Sequence, residues 1–215
     1  GSVFVAGGTD AFVQKPEALR NAKLSFLSQR PELSYIREEG DVVVMGGGTT
    51  VEDVRRSAVF QAIFPDTVRN MTLVSSTIMR NRATIAGNIV NASPIADMAI
   101  MLLVLGCSLD IEAHDGKKRE VRLDALYKGY KQLDLLPGEL ITAIRFPRPG
   151  ASSRYSFEKV SQREFLDIAS ANTALLVGTD GKTITRAVVS AGGVGPVPML
   201  LTKTGDALAG KPLAP

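Results

Sequence analysis

The feature that most constrains the fold is an Asp-Gly pair that occurs twice, each time beside short apolar runs. Asp115-Gly116 lies between residues 109–113 and 120–123, and Asp180-Gly181 precedes residues 184–190. Asp-Gly favours the two-residue turns of β-hairpins, because glycine readily adopts the positive φ angles that those turns require. Each half of the chain is therefore predicted to contain antiparallel strands.

Two strands near the front of the chain each run directly into a glycine turn. Residues 3–6 form a short apolar run that stops at Gly7-Gly8, and residues 41–45 form another that stops at Gly46-Gly47-Gly48. Short apolar runs bounded by glycine are typical of buried strands. Because helices are also expected in this half, it is predicted to mix strands and helices.

A capping box predicts the start of one helix. Either Thr49 with Glu52 or Thr50 with Asp53 satisfies its pattern, and the helix is expected over about residues 51–60. This helix start accounts for the glycines before it, so the turn at 46–48 is interpreted as structural.

A second helix is expected after Ser93, which can cap it, and Pro94, which suits its first position. Its body, residues 95–106, is apolar nearly all round and should be buried. The longest apolar run, residues 98–107, is shorter than the roughly 20 residues of a membrane span. Since no signal peptide opens the chain, a membrane is not expected as a partner.

The composition argues against several classes of function. The net charge is only +3, from 25 basic and 22 acidic residues, and there is no tryptophan, so nucleic acid is not expected as a partner. The single cysteine, Cys107, can form neither an internal disulfide nor an iron–sulfur cluster by itself, which favours the cytoplasm. With His114 as the only histidine, neither a catalytic triad nor a histidine-based metal site is predicted.

The chain is expected to form two domains. Its 215 residues and 45% hydrophobic content allow one large core or two smaller ones. The composition turns to proline, glycine and serine over residues 147–153, as in a linker. The predicted domains are therefore 1–149 and 150–215.

Glycine turns can also hold anions, because their successive amides form a concave nest. The loops at 6–10 and 46–48 are candidates, but an ordinary turn is an alternative for the first and the capping box explains the second. The stretch at 84–88 is the strongest, because it adds side-chain hydrogen-bonding groups and follows Arg80 and Arg82, which supply positive potential.

The common nucleotide signatures are missing from the sequence. No G-x-G-x-x-G follows a strand, and the glycines in residues 178–183 are too close together for a phosphate loop, so that segment is interpreted as a hairpin turn. A phosphate cradle without a nucleophile suggests that a bound cofactor carries the chemistry.

Several of these segments together resemble one known family. They are AGGTD at 6–10, RNRATIAGNIVNASPIAD at 80–97 and GELITAIRFP at 138–147, followed by 157–159, Arg163, 167–169, 190–194 and 208–211. In this order and spacing they resemble the flavin-binding medium subunit of molybdenum hydroxylases, the xanthine dehydrogenase and carbon monoxide dehydrogenase type. The resemblance covers nearly the whole chain.

The resemblance implies a fold and a cofactor. The fold would be an α+β, two-subdomain FAD-binding fold of the PCMH type, followed by a smaller α+β C-terminal flavoprotein domain that is truncated here. The pyrophosphate of FAD would lie between the two glycine loops. By carry-over, the cofactor-binding residues would be Ala6, Gly7, Gly8, Thr9, Asp10, Thr84, Ala86, Gly87, Asn88, Ser93, Asp97, Lys159 and Asp167.

The sequence departs from the family's pattern in two ways. Ala86 stands where the family commonly has the first of two glycines, so a positive φ at that position would strain the loop. The chain also begins at the strand of the first glycine loop and ends before the family's last helical segment, so it is interpreted as a fragment.

The function implied by the resemblance is that of an oxidoreductase subunit that transfers electrons. Its partners would be a molybdopterin-binding large subunit and an iron–sulfur small subunit, with NAD as one candidate acceptor. Two alternatives stay open at this point: a cofactor-free assembly module of the same complex, and a stand-alone flavin oxidoreductase.

Overall fold

The computed structural model describes residues 2–213. The predicted domains, 1–149 and 150–215, therefore extend past the described residues at Gly1 and at 214–215. Within residues 2–213, no helix combines the length and the apolar character needed to cross a lipid bilayer.

The described residues form thirteen strands and ten α-helices. The strands are β1 (Val3–Val5), β2 (Leu24–Phe26), β3 (Ile36–Glu39), β4 (Val42–Gly46), β5 (Ser108–Ala113), β6 (Lys118–Arg122), β7 (Tyr127–Gly129), β8 (Gln132–Leu133), β9 (Glu139–Pro147), β10 (Ser153–Val160), β11 (Ala171–Thr179), β12 (Ile184–Gly192) and β13 (Met199–Leu200). The helices are α1 (Ala11–Gln14), α2 (Pro16–Arg20), α3 (Val51–Arg56), α4 (Ala58–Ile63), α5 (Thr67–Thr72), α6 (Thr77–Arg80), α7 (Ile85–Val90), α8 (Asp97–Leu103), α9 (Leu123–Leu126) and α10 (Thr202–Leu208).

The first large sheet has five antiparallel strands in the order β3-β4-β9-β5-β6. Its central strand β9 pairs Ile144 with Met45 on one side and with Leu109 on the other, and all three side chains are buried. The turn at Asp115-Gly116 joins β5 to β6 as predicted. The strand expected at 41–45 is β4, and its interior residues are buried.

The second large sheet is an antiparallel meander in the order β10-β11-β12-β13. The turn at Asp180-Gly181 joins β11 to β12, which confirms the second predicted hairpin. The predicted domain boundary falls in the connection between β9, which ends at Pro147, and β10, which begins at Ser153.

Helix α8 packs against strands β11 and β12 of the second sheet. It is buried along its whole length, as predicted. It begins at Asp97, however, three residues later than the expected start at Pro94. The carbonyl of Pro94 accepts from the Gly193 amide and the carbonyl of Ile95 accepts from Asn172. Because these carbonyls bond to the second sheet, they are not used for a first helical turn.

The helix predicted over 51–60 is interrupted at Ser57. That residue has extended backbone angles (φ −66°, ψ 119°), and its hydroxyl accepts from the Phe60 amide, so it ends α3 and caps α4. Of the two candidate capping boxes, the one formed by Thr50 and Asp53 is present. The other is not, because the Thr49 hydroxyl donates to the carbonyl of Tyr35.

The front of the chain is less buried than its sequence suggests. Strand β1 pairs in parallel with β2 in a separate two-stranded sheet. Only Val5 of this strand is buried, whereas Val3 and Phe4 are exposed, so the prediction of a buried strand is wrong for two of its residues.

Candidate functional site

The two glycine loops singled out in the sequence touch each other. Gly7 is buried, and a methyl group on it would overlap the carbonyl of Arg82. A methyl group on Gly87 would lie 3.9 Å from the side chain of Ala6. The loop at 6–10 and the segment at 82–88, which contains the second loop, therefore form one continuous surface.

The first loop holds amides that the protein itself does not use. Among the hydrogen bonds of residues 2–213, none has the amide of Gly7, Gly8 or Thr9 as its donor. Gly8 has a φ of 74°, which only glycine adopts without strain. Unpartnered amides beside a glycine in this conformation are the geometry of an anion nest.

The turn at 46–48 provides a contrast, since its amides are occupied. Gly46 donates to the carbonyl of Tyr35, Gly47 to that of Thr142, and Gly48 to that of Leu33, at 2.9, 2.8 and 2.7 Å. This third glycine turn therefore connects the first sheet to α3, in agreement with its structural interpretation.

The second loop opens a short helix. The Thr84 hydroxyl accepts from the Gly87 amide at 3.0 Å and so caps α7, while the Ile85 amide donates to the carbonyl of Thr49. Ala86 lies inside this helix and has no positive φ, so the strain that the sequence suggested for this position does not arise.

Asn88 in the same loop has a side chain without a protein partner. Its Oδ1 is buried and makes no hydrogen bond, and its Nδ2 donates none among the described residues. Because Nδ2 has no acceptor among the described residues, it is free to donate to an anionic ligand, whereas Oδ1 can only accept from a donor.

The two arginines before this loop differ in their availability. The prediction that both supply positive potential is wrong for Arg80, which is buried and paired with Glu52 at 3.0 Å. Arg82 is exposed and forms no ion pair among the described residues. It borders an open groove of about 370 Å³ that Phe26 and Thr50 also line.

Two of the predicted cofactor-binding residues contact each other. Lys159 Nζ donates to Asp97 Oδ2 at 2.7 Å and to the carbonyl of Leu73 at 3.0 Å. Asn172 Nδ2 donates to Asp97 Oδ1 at 2.6 Å. This buried cluster joins the start of α8 to β10 and β11. Ser93 lies just before it, with its hydroxyl accepting weakly from the Ile95 amide at 3.4 Å.

Asn172 was missed by the sequence reasoning. The only signal was an amide side chain near the start of the mainly apolar run ANTALLV at 171–177. That signal does not identify its partner, because Asn172 and Asp97 are 75 residues apart in the chain.

The remaining predicted residues lie at the edges of this arrangement. Asp167 belongs to the exposed connection between β10 and β11, where its carboxylate accepts from the amides of Arg163 and Ile168. These bonds lower the pKa of Asp167. Asp10 immediately precedes α1, but its side chain does not cap that helix.

Cys107 and His114 lie away from the loops. Cys107 is a buried core residue, and its burial raises the pKa of its thiol. His114 is an exposed residue beside the β5–β6 turn. Across the part of the chain that the structure describes, no group of three or more His, Cys, Asp or Glu side chains is placed to hold a metal ion.

Residues 1–149 match the family described as the FAD binding domain in molybdopterin dehydrogenase. The chain belongs to this family. Residues 156–215 match a second family, the CO dehydrogenase flavoprotein C-terminal domain. The chain is thus a member of a flavoprotein family of oxidoreductases whose cofactor is FAD, which agrees with the resemblance drawn from the motifs.

The relatives of this chain include subunits of two dehydrogenases. The carbon monoxide dehydrogenase medium chain of Afipia carboxidovorans is 31% identical over 85% of this chain and 62% of its own length. The caffeine dehydrogenase subunit beta of a Pseudomonas species is 27% identical over 85% of this chain and 61% of its own length. The chain therefore spans about three fifths of the length of these relatives.

The fold is also that of solved members of the family. In carbon monoxide dehydrogenase from Hydrogenophaga pseudoflava, a chain that is 27% identical matches with a TM-score of 0.91, covering 99% of this chain and 74% of that chain. The α+β fold with an FAD-binding domain and a C-terminal flavoprotein domain is therefore confirmed.

Proposed function

We propose that this chain binds FAD between its two glycine loops and acts as the electron-transfer subunit of a molybdenum hydroxylase complex. The observation that carries the proposal is the contact between the loops at 6–10 and 82–88. Gly7, Gly8 and Thr9 offer unpartnered amides there, and Asn88 offers an unpartnered carboxamide. These groups fit the pyrophosphate of FAD, which requires several donors in a small volume.

Each loop has its own part in holding the cofactor. The amides of Gly7, Gly8 and Thr9 would donate to the pyrophosphate from the first loop. The Asn88 side chain would donate to it from the second loop, from a helix whose start is fixed by the Thr84 cap. Ala6, Asp10, Ala86 and Gly87 complete the walls of the two loops.

The segment from Ser93 to Asp97 connects the second glycine loop to the second sheet, through the carbonyls of Pro94 and Ile95. Asp97 is held there by Lys159 and Asn172, so we assign these residues to fixing the segment along the cofactor. Asp167, in the connection after β10, is assigned to the side of the C-terminal domain that borders the flavin.

FAD, when bound, supplies the ability to take up two electrons and to pass them on. We place the molybdenum centre and the iron–sulfur clusters in partner subunits. The relatives are named a medium chain and a subunit beta, which supports a multi-subunit assembly. NAD is the candidate acceptor.

Two measurements test this proposal. The purified protein should show a flavin absorption spectrum or take up FAD in a titration, and acid precipitation should release that flavin, since neither Cys107 nor His114 lies in a glycine loop. Coexpression with candidate large and iron–sulfur subunits should give a complex. A chain that assembles with those subunits but binds no FAD is instead an assembly module. A chain that binds FAD and oxidises a small substrate alone is a stand-alone oxidoreductase.

A further inference from the structure

Glu52 and three arginines form a charge cluster that includes Arg80, just before the second glycine loop. Glu52 of α3 is 1% exposed, and each of its carboxylate oxygens is used. Its Oε1 accepts from Arg55 at 2.6 Å and from Arg56 at 3.0 Å, while Oε2 accepts from Arg80 at 3.0 Å. The side chains of Arg55 and Arg56 are partly exposed, but that of Arg80 is only 7% exposed.

Arg80 uses its other nitrogens to organise the chain just before the loop. One terminal nitrogen donates to the carbonyl of Ser75 at 2.7 Å, and the other donates to the Thr77 hydroxyl at 2.8 Å. Ser75 has a φ of 61°, a conformation that costs a non-glycine residue free energy and needs support from its surroundings. The guanidinium therefore fixes both ends of the turn that leads into α6.

The start of α3 is bonded to the same stretch through the backbone. The Val51 amide donates to the carbonyl of Ala83 at 3.0 Å, and the Ile85 amide donates to the carbonyl of Thr49 at 2.9 Å. The ion pair of Glu52 is thus the third link between α3 and residues 80–85. The carbonyl that contacts the first glycine loop belongs to this same segment.

We propose that Glu52 is a positioning residue for the cofactor: acting through Arg80, it holds residues 80–85 at the place where they contact Gly7, and so sets the spacing of the two loops. This inference rests on the proposed function. Helix α3 contributes no donor to the pyrophosphate site, and Glu52 lies outside both glycine loops; the inference gives both a role in holding the cofactor.

A carboxylate is required at this position for a physical reason. If the charge were removed, the buried guanidinium of Arg80 would lose its counter-charge and would move toward solvent or draw in water. The hydrogen bonds from Arg55 and Arg80 lower the pKa of Glu52 to about 2, so the pair stays ionised at physiological pH. The link is permanent and does not act as a pH switch near neutrality.

The chain offers a matched control in Glu139. Its carboxylate accepts two hydrogen bonds from Arg119, at 2.8 and 2.7 Å, and its side chain is 7% exposed. Its pKa is also lowered to about 2, chiefly by Arg119. The partners of Glu139 belong to β6 and to the turn before β9, and none of them belongs to a glycine loop.

The experiment compares Glu52→Gln with Glu139→Gln in the full chain. FAD dissociation constants, thermal midpoints and amide hydrogen exchange of residues 80–88 are measured for each variant and for the parent. Both variants should lower the thermal midpoint. Only Glu52→Gln should raise the dissociation constant, by about tenfold, and speed exchange in residues 80–88 of the FAD-free protein.

Unchanged FAD affinity and unchanged exchange in Glu52→Gln would overturn the inference. If the parent itself binds no FAD, the proposed function fails, and the exchange of residues 80–88 alone decides whether Glu52 positions the loop. Should Glu52→Gln not fold, Arg80→Lys serves instead. It keeps the charge next to Glu52 but loses the planar fork that reaches Ser75 and Thr77, and should raise the dissociation constant by a similar factor.

Discussion

The carbonyl of Arg82 occupies the space that a side chain on Gly7 would fill. Two segments far apart in the chain can touch only because residue 7 has no Cβ. The amides of the first loop are consequently held beside the start of α7 without being consumed by a hydrogen bond within the described residues. The donors of the first loop are therefore supplied by the backbone.

Gly7→Ala should separate the two loops. The methyl group overlaps backbone atoms that cannot rotate away, so we expect a loss of about 1–3 kcal/mol in the free energy of unfolding. FAD affinity should fall as well, because the spacing of the donors changes. Gly150→Ala is the control, since nothing lies within 4 Å of the added methyl group there. Urea unfolding and FAD titration of both variants measure the two effects, and a Gly7→Ala variant that behaves like Gly150→Ala would contradict the contact.

Gly8→Val and Gly47→Val should differ in what they damage. Gly8 needs a positive φ beside amides that are free for a ligand, so valine there should weaken FAD binding more than it weakens the fold. At Gly47 the added atoms would overlap the carbonyl of Ile141, so valine there should mainly destabilise the fold. FAD dissociation constants and thermal midpoints of both variants distinguish the two positions. If Gly47→Val lost FAD affinity while Gly8→Val kept it, the pyrophosphate site would be assigned to the wrong glycine turn.

Local signals in the sequence predicted part of the secondary structure around the site, but not the short helices α1, α6 and α7 that border the two loops. The two Asp-Gly hairpins, the Thr50–Asp53 capping box and the buried α8 each follow from residues within a few positions of one another. The two glycine loops also emerged in this way, since a bare run of small residues is typical of backbone that approaches another group closely.

What the sequence could not supply were contacts between distant segments. Arg80 and Glu52 are 28 residues apart, so an arginine expected to attract phosphate is instead neutralised by a buried carboxylate. The start of α8 shifted for the same reason, because carbonyls from before the helix bond to the second sheet. Long-range partners decide both outcomes, and no local pattern specifies them.

Lys159→Met should lower the free energy of unfolding, because Lys159 belongs to the buried cluster that joins the start of α8 to β10 and β11. Removing one partner of a buried ion pair typically costs about 3–5 kcal/mol, because the other charge is left without compensation. The pair here is Lys159 with Asp97, whose side chains are 4% and 11% exposed. The double variant with Asp97→Asn should recover most of that loss, which a double-mutant cycle of urea unfolding measures. Lys117→Met, in an exposed pair with Asp115, should cost less than about 1 kcal/mol, and an equal cost for both lysines would contradict the burial of the cluster.

The lowered pKa of Glu139 should make the stability of the protein depend on pH. Its pKa is about 2 in the folded protein and near 4.5 in an unfolded chain, so the unfolded chain binds more protons between these values. The contribution of this carboxylate is therefore fully present above about pH 4.5 and is lost as the pH falls toward 2. The difference in unfolding free energy between the parent and Glu139→Gln should shrink over that range. A difference that stays constant from pH 6 to pH 2.5 would contradict the lowered pKa.

Asn88 gives the most direct test of the cradle, because its side chain has no hydrogen-bond partner among the described residues. Its Oδ1 is buried, so Asn88→Ala removes an unsatisfied group and should leave the thermal midpoint of the FAD-free protein unchanged or higher. A hydrogen bond to a charged acceptor is worth about 1.5–3 kcal/mol, so the same variant should bind FAD roughly ten- to a hundredfold more weakly.

Asn88→Asp should be worse, since it loses the donor, sets a carboxylate against phosphate and places charge on a buried oxygen. If Asn88 only stabilised a turn, aspartate would replace it almost without effect. Equal FAD affinity for Asn88→Asp and the parent would therefore exclude Asn88 from the pyrophosphate site.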